Sequence, residues 1–446
     1  MKSIKMRSKV LFTSFLMLWS LLSIAQENLS KDDAVTIALE HNYNIKVVNN
    51  NVKMAENSAS IYNSGYLPTL TASGGANYSD KDSENEFQDG RVINQSSTSK
   101  TINASTGLNY LIFDGLGRRY NYKKLKELYN LSEIQAQQVI ENTVLQLLTA
   151  YYEVARLTQN QVYQKNSLSI SKERLQREKY KYQYGQSTQL DMLNSEVDVN
   201  NDSINLLNIN REVANAKRNL NLILGREIQK DFKVDTTVIY AIDLTLPKVL
   251  ASAKKRNKVL QQAEKNIELS NFDLKINRSG WYPSIGINGG YSWNNLHTDS
   301  DVANPFALAA NTSKGFQTGL SLSWNIFDGG KTKTRVQNAK IALDNNEILK
   351  EKIEQELERN VSNAWETYQN ALFVLQAEKK NMETNKRNFE RSSEQFKLGQ
   401  IISVEFRVAQ INYLNSVTNF NKAKYLAKIA ELNLLQLSGQ LLGATY

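Results

Sequence analysis

Side chains of the types that catalyse reactions are scarce in this 446-residue chain. It contains no cysteine, which excludes disulfides, zinc–thiolate sites and a thiol nucleophile. Its two histidines, His41 and His297, lie far apart, so an imidazole metal site or a histidine acid–base pair is not expected. The 45 acidic residues are scattered and form no paired-carboxylate motif. We therefore expect neither an enzyme nor a bound cofactor or metal ion.

The N-terminus has the pattern of a secretory signal peptide. Four basic residues are followed by an apolar stretch over residues 10–22 and by small residues at 23–25. We interpret residues 1–25 as a cleaved signal, with an uncleaved anchor helix as the alternative. Removing the four basic residues lowers the formal net charge from +9 to +5, which is too weak and dispersed to indicate nucleic-acid binding. No cysteine follows Ala25, so a lipid anchor is not expected.

The remaining chain contains an internal duplication with an offset of about 215 residues. We place the first repeat at residues 26–245 and the second at residues 246–446. The matched segments are 64–68 and 279–283, 74–75 and 289–290, 112–115 and 326–329, 184–186 and 398–400, and 224–225 and 438–439.

Each repeat is expected to contain one long helix and one shorter helix that returns beside it. Residues 118–184 and 331–398 contain neither glycine nor proline, and their apolar residues recur every three or four positions. A helix of that length spans roughly 100 Å, which no ordinary globular domain requires. The hairpin tips are placed at Gly185 and Gly399, because glycine adopts the left-handed conformation that ends a helix. After the first tip, residues 188–191 have the sequence of a capping box.

Four segments alternate apolar and polar residues with the period of a β-strand. They lie at about 69–79, 101–113, 284–293 and 316–327, and one face of each consists mainly of Ser, Thr, Asn and Gly. This pattern is typical of a transmembrane β-barrel with lipid outside and water inside. A soluble sandwich with one buried face is the alternative. The nearly uncharged polar face, long polar loops near 80–100 and 294–315, and aromatic residues at the helix-proximal strand ends favour the membrane.

Four strands do not close a barrel, since about eight is the smallest workable number, and an open edge in lipid leaves backbone groups unsatisfied. The protein is therefore expected to oligomerise, although the spacing does not set the number of copies. Each strand pair leaves a helix and returns to a helix, so all helices lie on one side of the membrane. In an exported bacterial protein that side is the periplasm.

With these features in this order, the chain from about residue 31 to residue 439 resembles the TolC family of outer membrane efflux proteins. The resemblance implies an α+β membrane protein that forms a homotrimer. Its β-barrel would have 12 strands, four from each protomer, in outer membrane lipid, and a long α-helical barrel would continue it in the periplasm. The implied function is the channel-tunnel of a tripartite efflux or type I secretion system. The implied partners are a periplasmic adaptor, or membrane fusion protein, and an inner-membrane pump.

The resemblance also implies roles for individual residues. Asp191 and Glu405, each six residues after its tip glycine, match the acidic gate positions, where repetition by the oligomer would form cation-attracting carboxylate rings. For Asp191, completion of the capping box is the alternative role. Phe396 and Ile401 occupy the positions where the best-known relative carries a tyrosine and an arginine that lock the tip. A polar lock at these two positions is therefore not expected.

The tips Gly185 and Gly399 are predicted to dock the adaptor. The strand–helix hinges are predicted at Asp114, Gly115, Asp328 and Gly329. Basic residues near the tips either guide docking or form a solvated face; they are Lys172, Arg174, Arg177, Lys179, Lys181, Lys379, Lys380, Lys386, Arg387, Arg391 and Lys397. A second basic group is either interfacial or solvated and consists of Arg118, Arg119, Lys123, Lys331, Lys333 and Arg335.

The alternative function is a soluble periplasmic coiled-coil scaffold or adaptor. Such a protein would be extracted without detergent, whereas a channel would need detergent and run as an oligomer.

Overall fold

The computed structural model describes residues 27–241, 244–301, 306 and 308–444. The predicted signal peptide at residues 1–25 lies outside this part of the chain. The chain divides into two compact units. The first unit combines Ala136–Leu260 and Glu354–Tyr446 with the N-terminal segment up to Asn49, and the second combines Asn50–Gln135 with Gln261–Ile353. Each unit therefore draws on both sequence repeats.

The described residues form six β-strands and eight α-helices. In chain order these are β1 Glu27–Leu29, α1 Lys31–His41, α2 Tyr43–Ser58, β2 Thr69–Glu86, β3 Val92–Phe113, α3 Gly117–Gln183, α4 Gln189–Leu224, β4 Phe232–Val234, α5 Leu246–Arg256, α6 Lys258–Ser279, β5 Ser284–Ser300, β6 Ala310–Ser323, α7 Lys331–Lys397 and α8 Ser403–Leu437. Helices α3 and α7 have 67 residues each. Within the described residues, no helix carries an apolar run long enough to cross a membrane.

The first unit has a hydrophobic core centred on α3. Tyr151 and Tyr152 are fully buried there, and their rings pack edge to face with centroids 6.0 Å apart. The Tyr151 hydroxyl donates to the Leu29 carbonyl at 2.7 Å and accepts from the Asp235 N–H at 2.9 Å. Burial raises the pKa of Tyr151 to about 12, so this hydroxyl stays protonated as a donor. The Tyr151 side chain thus holds both β1 and the segment after β4. Strands β1 and β4 pair with each other in parallel.

An asparagine ends the first helix of each repeat in the same way. The Asn42 amide donates to the Ile223 carbonyl at 2.7 Å, and the Asn257 amide donates to the Leu437 carbonyl at 3.0 Å. Each asparagine oxygen also accepts from two N–H groups of the following helix. One side chain therefore satisfies backbone groups at two helix ends that would otherwise lack partners. The duplication is present in the hydrogen bonds as well as in the sequence.

The second unit contains a four-stranded antiparallel sheet in the order β2-β3-β5-β6. Strands β3 and β5 join the two repeats. Directly paired residues share a face, so the register decides which side chains lie together. One row of the apolar face consists of Tyr110, Ile287 and Leu320, and one row of the polar face consists of Ser73, Ser105, Ser292 and Gly315. The predicted separation into an apolar and an uncharged polar face is therefore present in the register.

The apolar face of this sheet is exposed in the single chain. Leu70, Phe316 and Leu320 are 75%, 73% and 72% exposed. Strands β2 and β6 lie at the ends of the strand order, so each pairs with one other strand among the described residues. The expected α+β architecture, with four antiparallel strands and long helices in a duplicated order, is confirmed.

The strands are longer than the alternation predicts. Residues 80–86 and 92–100 continue the β2–β3 ladder, which leaves only residues 87–91 as the connecting turn. The expectation of a long polar loop near 80–100 was therefore wrong. The loop expected near 294–315 was also wrong, because β5 continues to Ser300 and β6 begins at Ala310; β6 ends at Ser323 rather than near 327. Main-chain pairing needs no apolar face, so a polar hairpin extends a ladder beyond the alternating segment.

The two strand–helix hinges share a backbone conformation but differ in their surroundings. Gly115 and Gly329 both have φ of +67°. A Cβ atom at Gly115 would lie 2.6 Å from the Ser279 carbonyl oxygen and 2.8 Å from the Tyr282 Cβ. A Cβ atom at Gly329 would meet nothing within 4 Å. At Gly115, glycine is therefore required both by the backbone angle and by the lack of space for a side chain. At Gly329 it is required by the backbone angle alone.

We predict that Gly115→Ala destabilises the protein more than Gly329→Ala. Alanine in the left-handed region costs about 1–2 kcal/mol at either hinge. At residue 115, overpacking adds a further 1–3 kcal/mol or so. The midpoint of heat denaturation, followed by circular dichroism, measures the difference. Equal losses in the two variants would contradict the close contact at Gly115.

Candidate functional site at the hairpin tips

The two hairpin tips of the first unit have the same backbone geometry. Gly185 and Gly399 both have φ of +72°. In the first tip the Gly185 N–H bonds to the Tyr182 carbonyl at 3.0 Å and the Gln186 N–H to the Lys181 carbonyl at 2.7 Å. The second tip repeats this pair of bonds at 3.1 Å and 2.8 Å. Both long helices therefore end in a Schellman motif that requires a left-handed residue.

Asp191 is bound to its own helix terminus. Its backbone N–H donates to the Thr188 hydroxyl at 3.2 Å, and its carboxylate accepts from that hydroxyl at 2.7 Å and from the Thr188 N–H at 3.4 Å. The predicted capping box is thus present. Hydrogen bonds from Thr188, with a further one from Ser187, lower the pKa of Asp191. The carboxylate is half-buried and remains ionised at neutral pH.

Glu405 occupies the same helical position in the second tip but makes a weaker contact. Its carboxylate accepts from the Ile402 N–H at 3.4 Å. The Ile402 side chain has no acceptor, so only half of a capping box forms. Glu405 is exposed. Of the two predicted gate carboxylates, Glu405 is therefore the one with the greater freedom to face another molecule.

Behind the tips, two arginines and two aspartates form a buried cluster that we call the tip charge cluster: Arg174 of α3, Asp198 and Asp202 of α4, and Arg407 of α8. Arg407 donates to both Asp202 oxygens, at 2.8 Å and 2.9 Å. Arg174 pairs with Asp198, and the Arg407 Nε lies 3.4 Å from an Asp198 oxygen. The Ser171 hydroxyl also donates to Asp202 at 2.6 Å.

The tip charge cluster joins the first hairpin to the second. Arg174 and Asp202 are 3% and 2% exposed, so water screens them little. Burial lowers the pKa of Arg174. For Arg407, burial acts to lower the pKa, but hydrogen bonding to Asp202 and the charges of Asp202 and Asp198 outweigh it and raise the pKa. Both guanidinium groups therefore stay charged, and the ion pairs persist at any physiological pH.

Phe396 belongs to an aromatic stack beside this cluster. Its ring lies 4.8 Å from the Phe406 ring with an interplanar angle of 6°. The Arg177 and Lys181 side chains of α3 lie over the Phe396 ring, 5.4 Å and 5.1 Å from its centroid. Phe396, which stands at an expected lock position, therefore links α7 to α8 by stacking and to α3 by cation–π contacts.

Two basic residues have roles that the sequence did not indicate. Arg174 was expected to guide docking or to be solvated, but it is buried and ion-paired because it lies on the inward face of α3. Arg118 was expected to be interfacial or solvated. Its guanidinium instead donates to the carbonyls of Gly65 and Ile112 at 3.1 Å and 2.9 Å.

The hinge aspartates cap the long helices. The Asp114 carboxylate accepts from the Arg118 N–H at 2.8 Å, and the Asp328 carboxylate accepts from the Thr332 N–H at 2.8 Å. An acidic group at this end also interacts favourably with the helix dipole. Each hinge thus combines a turn glycine with a carboxylate that starts the helix.

Sequence reasoning missed Asp198, Asp202 and Arg407. The signal was present in α4, where Ser195, Asp198 and Asp202 recur at intervals of three and four residues. That spacing places all three on one helix face, and Ser195 and Asp202 are buried. Polar residues in a buried stripe indicate a polar contact between helices rather than a solvated face.

Long helical hairpins with matched tips, in the same chain as an antiparallel sheet with an exposed apolar face, are the features expected of a membrane channel protein. The chain belongs to the Outer membrane efflux protein family, whose model matches residues 34–226 and 249–440.

Individual relatives agree with this assignment. The chain is 20% identical over 396 residues to the outer membrane efflux protein BepC of Brucella suis. The aligned region covers 87% of this chain and 81% of that protein. It is 23% identical to the outer membrane protein TolC of Vibrio cholerae over 208 residues, or 45% of this chain and 46% of that protein. Its fold matches the CmeC outer membrane channel of Campylobacter jejuni with a TM-score of 0.75, at 16% identity and over 92% of this chain and 86% of that one.

The protein is therefore a bacterial outer membrane efflux channel with a periplasmic helical extension. The family consists of channels rather than enzymes. A soluble scaffold or adaptor, the alternative drawn from the sequence, is not supported.

We predict that loss of the tip charge cluster opens the tip. The double substitution Arg407→Gln with Asp202→Asn removes the bidentate ion pair without leaving one buried charge unpaired, a state that would cost about 3–5 kcal/mol. We expect higher single-channel conductance or more frequent opening in a planar lipid bilayer. Arg391→Gln, which changes an exposed arginine of α7, is the matched control. Unchanged conductance in a double variant that still oligomerises would contradict the prediction.

Proposed function

We propose that this channel is the outer membrane component of a tripartite efflux or secretion system. In this proposal it is a homotrimer, a periplasmic adaptor docks on its hairpin tips, and an inner-membrane pump supplies the exported solute. The observation that carries the proposal is the exposed four-stranded sheet of the second unit. Such a sheet is stable in lipid only when other copies pair with its edges.

Three copies would supply 12 strands, which is enough to close a barrel with a water-filled interior. The pairing register of the strands supports one orientation of the barrel wall. The face with Tyr110, Ile287 and Leu320 would contact lipid, and the face with Ser105 and Ser292 would line the water-filled path. Solutes would then cross the membrane without the loss of hydration that transfer into hydrocarbon requires.

The tips carry an exposed apolar residue at the same position in both repeats. Tyr184 and Leu398, which directly precede the two tip glycines, are 79% and 71% exposed. Basic side chains lie close to them along the same helices; Lys181 is half-buried and Lys397 is exposed. An apolar centre with a polar rim is the usual arrangement of a protein-binding surface. We assign the docking of the adaptor to this surface, with Gly185 and Gly399 shaping its two halves.

The double substitution Tyr184→Ser with Leu398→Ser is expected to weaken adaptor binding at least about tenfold, because it removes both apolar side chains from the tip. The affinity of the purified oligomer for the periplasmic adaptor of the same bacterium would be measured by surface plasmon resonance. Ile228→Ser, at an exposed apolar residue outside the tips, is the control. Unchanged affinity would reject the docking surface, and a purified wild-type protein that remained monomeric would reject the assembly.

We assign the periplasmic gate to Glu405 and Asp191. Repetition of each carboxylate around the symmetry axis would form two acidic rings at the tip. Asp191 is ionised but held by Thr188, whereas Glu405 is exposed, so Glu405 is expected to make the larger contribution to ion selectivity. In place of the tyrosine and arginine lock, the tip charge cluster and the cation–π contacts of Phe396 with Arg177 and Lys181 would hold the two hairpins together.

Glu405→Gln is expected to lower the preference of the channel for cations over anions, because each protomer loses one negative charge at the constriction. Reversal potentials under a salt gradient in a planar bilayer measure this preference. Glu394→Gln is the control, since Glu394 is an exposed carboxylate on α7 that pairs with Lys397 at 2.9 Å. An unchanged preference would remove Glu405 from the gate but leave the channel intact.

The export route follows from the N-terminal pattern. Residues 1–25 are proposed to direct the chain across the inner membrane and to be cleaved after Ala25. The mature chain would then consist of the two repeats at residues 26–245 and 246–446.

A further inference from the structure

A cavity of about 420 Å³ lies in the second unit where the sheet meets the helices. The end of β3, the start of α3 and the end of α6 form its walls. Phe113, Leu116, Tyr120 and Tyr282 supply apolar and aromatic surface, and Lys275 and Arg278 supply two positive charges. Among the described residues that line the cavity, none is acidic.

The cavity is continuous with the lipid-facing side of the sheet. Phe113 pairs with Ile285, and Ile285 pairs with Leu322, so these three side chains form a row on the apolar face. Trp281 and Tyr282, beside the cavity, are 52% and 60% exposed, as expected for an aromatic belt at a membrane interface. Because β3 and β5 are the central strands, the cavity belongs to one protomer and does not depend on pairing at the sheet edges.

The two cations of the cavity are available to an anion. The Lys275 ammonium lies 5.7 Å from the centroid of the Tyr120 ring and 5.6 Å from that of Phe272. Arg278 is exposed. Neither side chain forms an ion pair within the described part of the chain. Two positive charges beside aromatic rings, with no carboxylate in the walls, match a ligand with a phosphate group and an apolar body.

Backbone strain at Leu116 points to the same cavity. Leu116 has φ of +68°, which is uncommon for a residue with a Cβ, and in the second repeat Gly330 occupies the matching position with φ of +85°. The hinge therefore accepts glycine at this point, yet the first repeat holds a leucine there, with 43% of its surface exposed. Backbone strain of this kind clusters at active sites and ligand-binding sites. Here the side chain forms a wall of the cavity.

We propose that this cavity binds an anionic phospholipid from the periplasmic leaflet of the outer membrane. The phosphate lies between Lys275 and Arg278, the headgroup packs on Tyr120 and Tyr282, and an acyl chain extends along the row of Phe113, Ile285 and Leu322. The lipid would fix the hinge between β3 and α3 at the membrane surface. This inference depends on the membrane placement of the sheet but not on the partners or the gate proposed above.

Binding would be tested on the purified oligomer in detergent by native mass spectrometry during titration with phosphatidylglycerol. Lys275→Gln with Arg278→Gln is expected to weaken phosphatidylglycerol binding about tenfold, because both phosphate contacts are lost. Lys331→Gln with Lys333→Gln makes the same charge change at the start of α7, in the other hinge, and is expected to leave binding unchanged. Equal binding by the wild type and the cavity variant would overturn the proposal.

Leu116→Gly provides a second test that does not alter charge. It copies the glycine of the second repeat, so the midpoint of heat denaturation should not fall, while phosphatidylglycerol affinity should drop by at least about threefold with the loss of apolar wall. Unaltered affinity in this variant would count against the cavity as the binding site. Two further outcomes would also overturn the proposal. Equal affinity for phosphatidylethanolamine would contradict recognition of an anionic lipid, and displacement of the lipid by millimolar inorganic phosphate would indicate a site for free anions.

Discussion

The backbone hydrogen bonds of an incomplete sheet constrain this protein more than any other interaction. Strands β3 and β5 join the two repeats into one sheet, but β2 and β6 each pair on one side only among the described residues. In water such edges are hydrated, whereas in lipid each unpaired N–H or C=O group costs several kcal/mol. In the assembly proposed above, a sheet that closes with copies of itself would turn its exposed apolar face to lipid. Pairing between copies would then satisfy the backbone groups at the sheet edges.

The two repeats keep the same residue where the backbone geometry requires it, and they differ at matched positions where one repeat makes a contact that the other lacks. Asn42 and Asn257 make equivalent hydrogen bonds, and Gly185 and Gly399 end their helices with the same φ of +72°. Thr188 and Ile402, by contrast, give one complete capping box and one half. The pair Leu116 and Gly330 likewise adopts similar backbone angles with different side chains. Because the backbone requirement is the same in both repeats, a difference in side chain at a matched position indicates a local role.

The tip region of the first unit combines ion pairs between the two hairpins with aromatic stacking inside one hairpin. These two kinds of contact would respond differently if the hairpins separated. The buried ion pairs of the tip charge cluster lose their mutual attraction when the hairpins part, but their charges regain water, so the net cost of opening is smaller than the Coulomb energy implies. The Phe389, Phe396 and Phe406 rings stack within the α7–α8 hairpin and have no need to separate. In the gate proposed above, the ion pairs would specify the closed arrangement, and the aromatic rings would keep the α7–α8 hairpin intact as it moved.

The sequence alone determined the features that depend on local rules. The absence of glycine and proline from residues 118–184 predicted a long helix, alternation predicted the apolar and polar sheet faces, and the spacing of Thr188 and Asp191 predicted the capping box. Each of these follows from neighbours within a few residues along the chain, so the chain order contains the needed information.

Only the tertiary structure decided which polar side chains point inward and what they meet. Arg407 contacts Asp202 across 205 positions of sequence, and Arg118 reaches Gly65 across 53. Such contacts depend on how each helix is rotated about its axis and on which helix packs beside it, and the charge pattern of a single helix does not encode either. Arg174 was for that reason assigned to the surface. The cavity beside Leu116 had no signature in the sequence, because its walls come from two segments that are far apart along the chain.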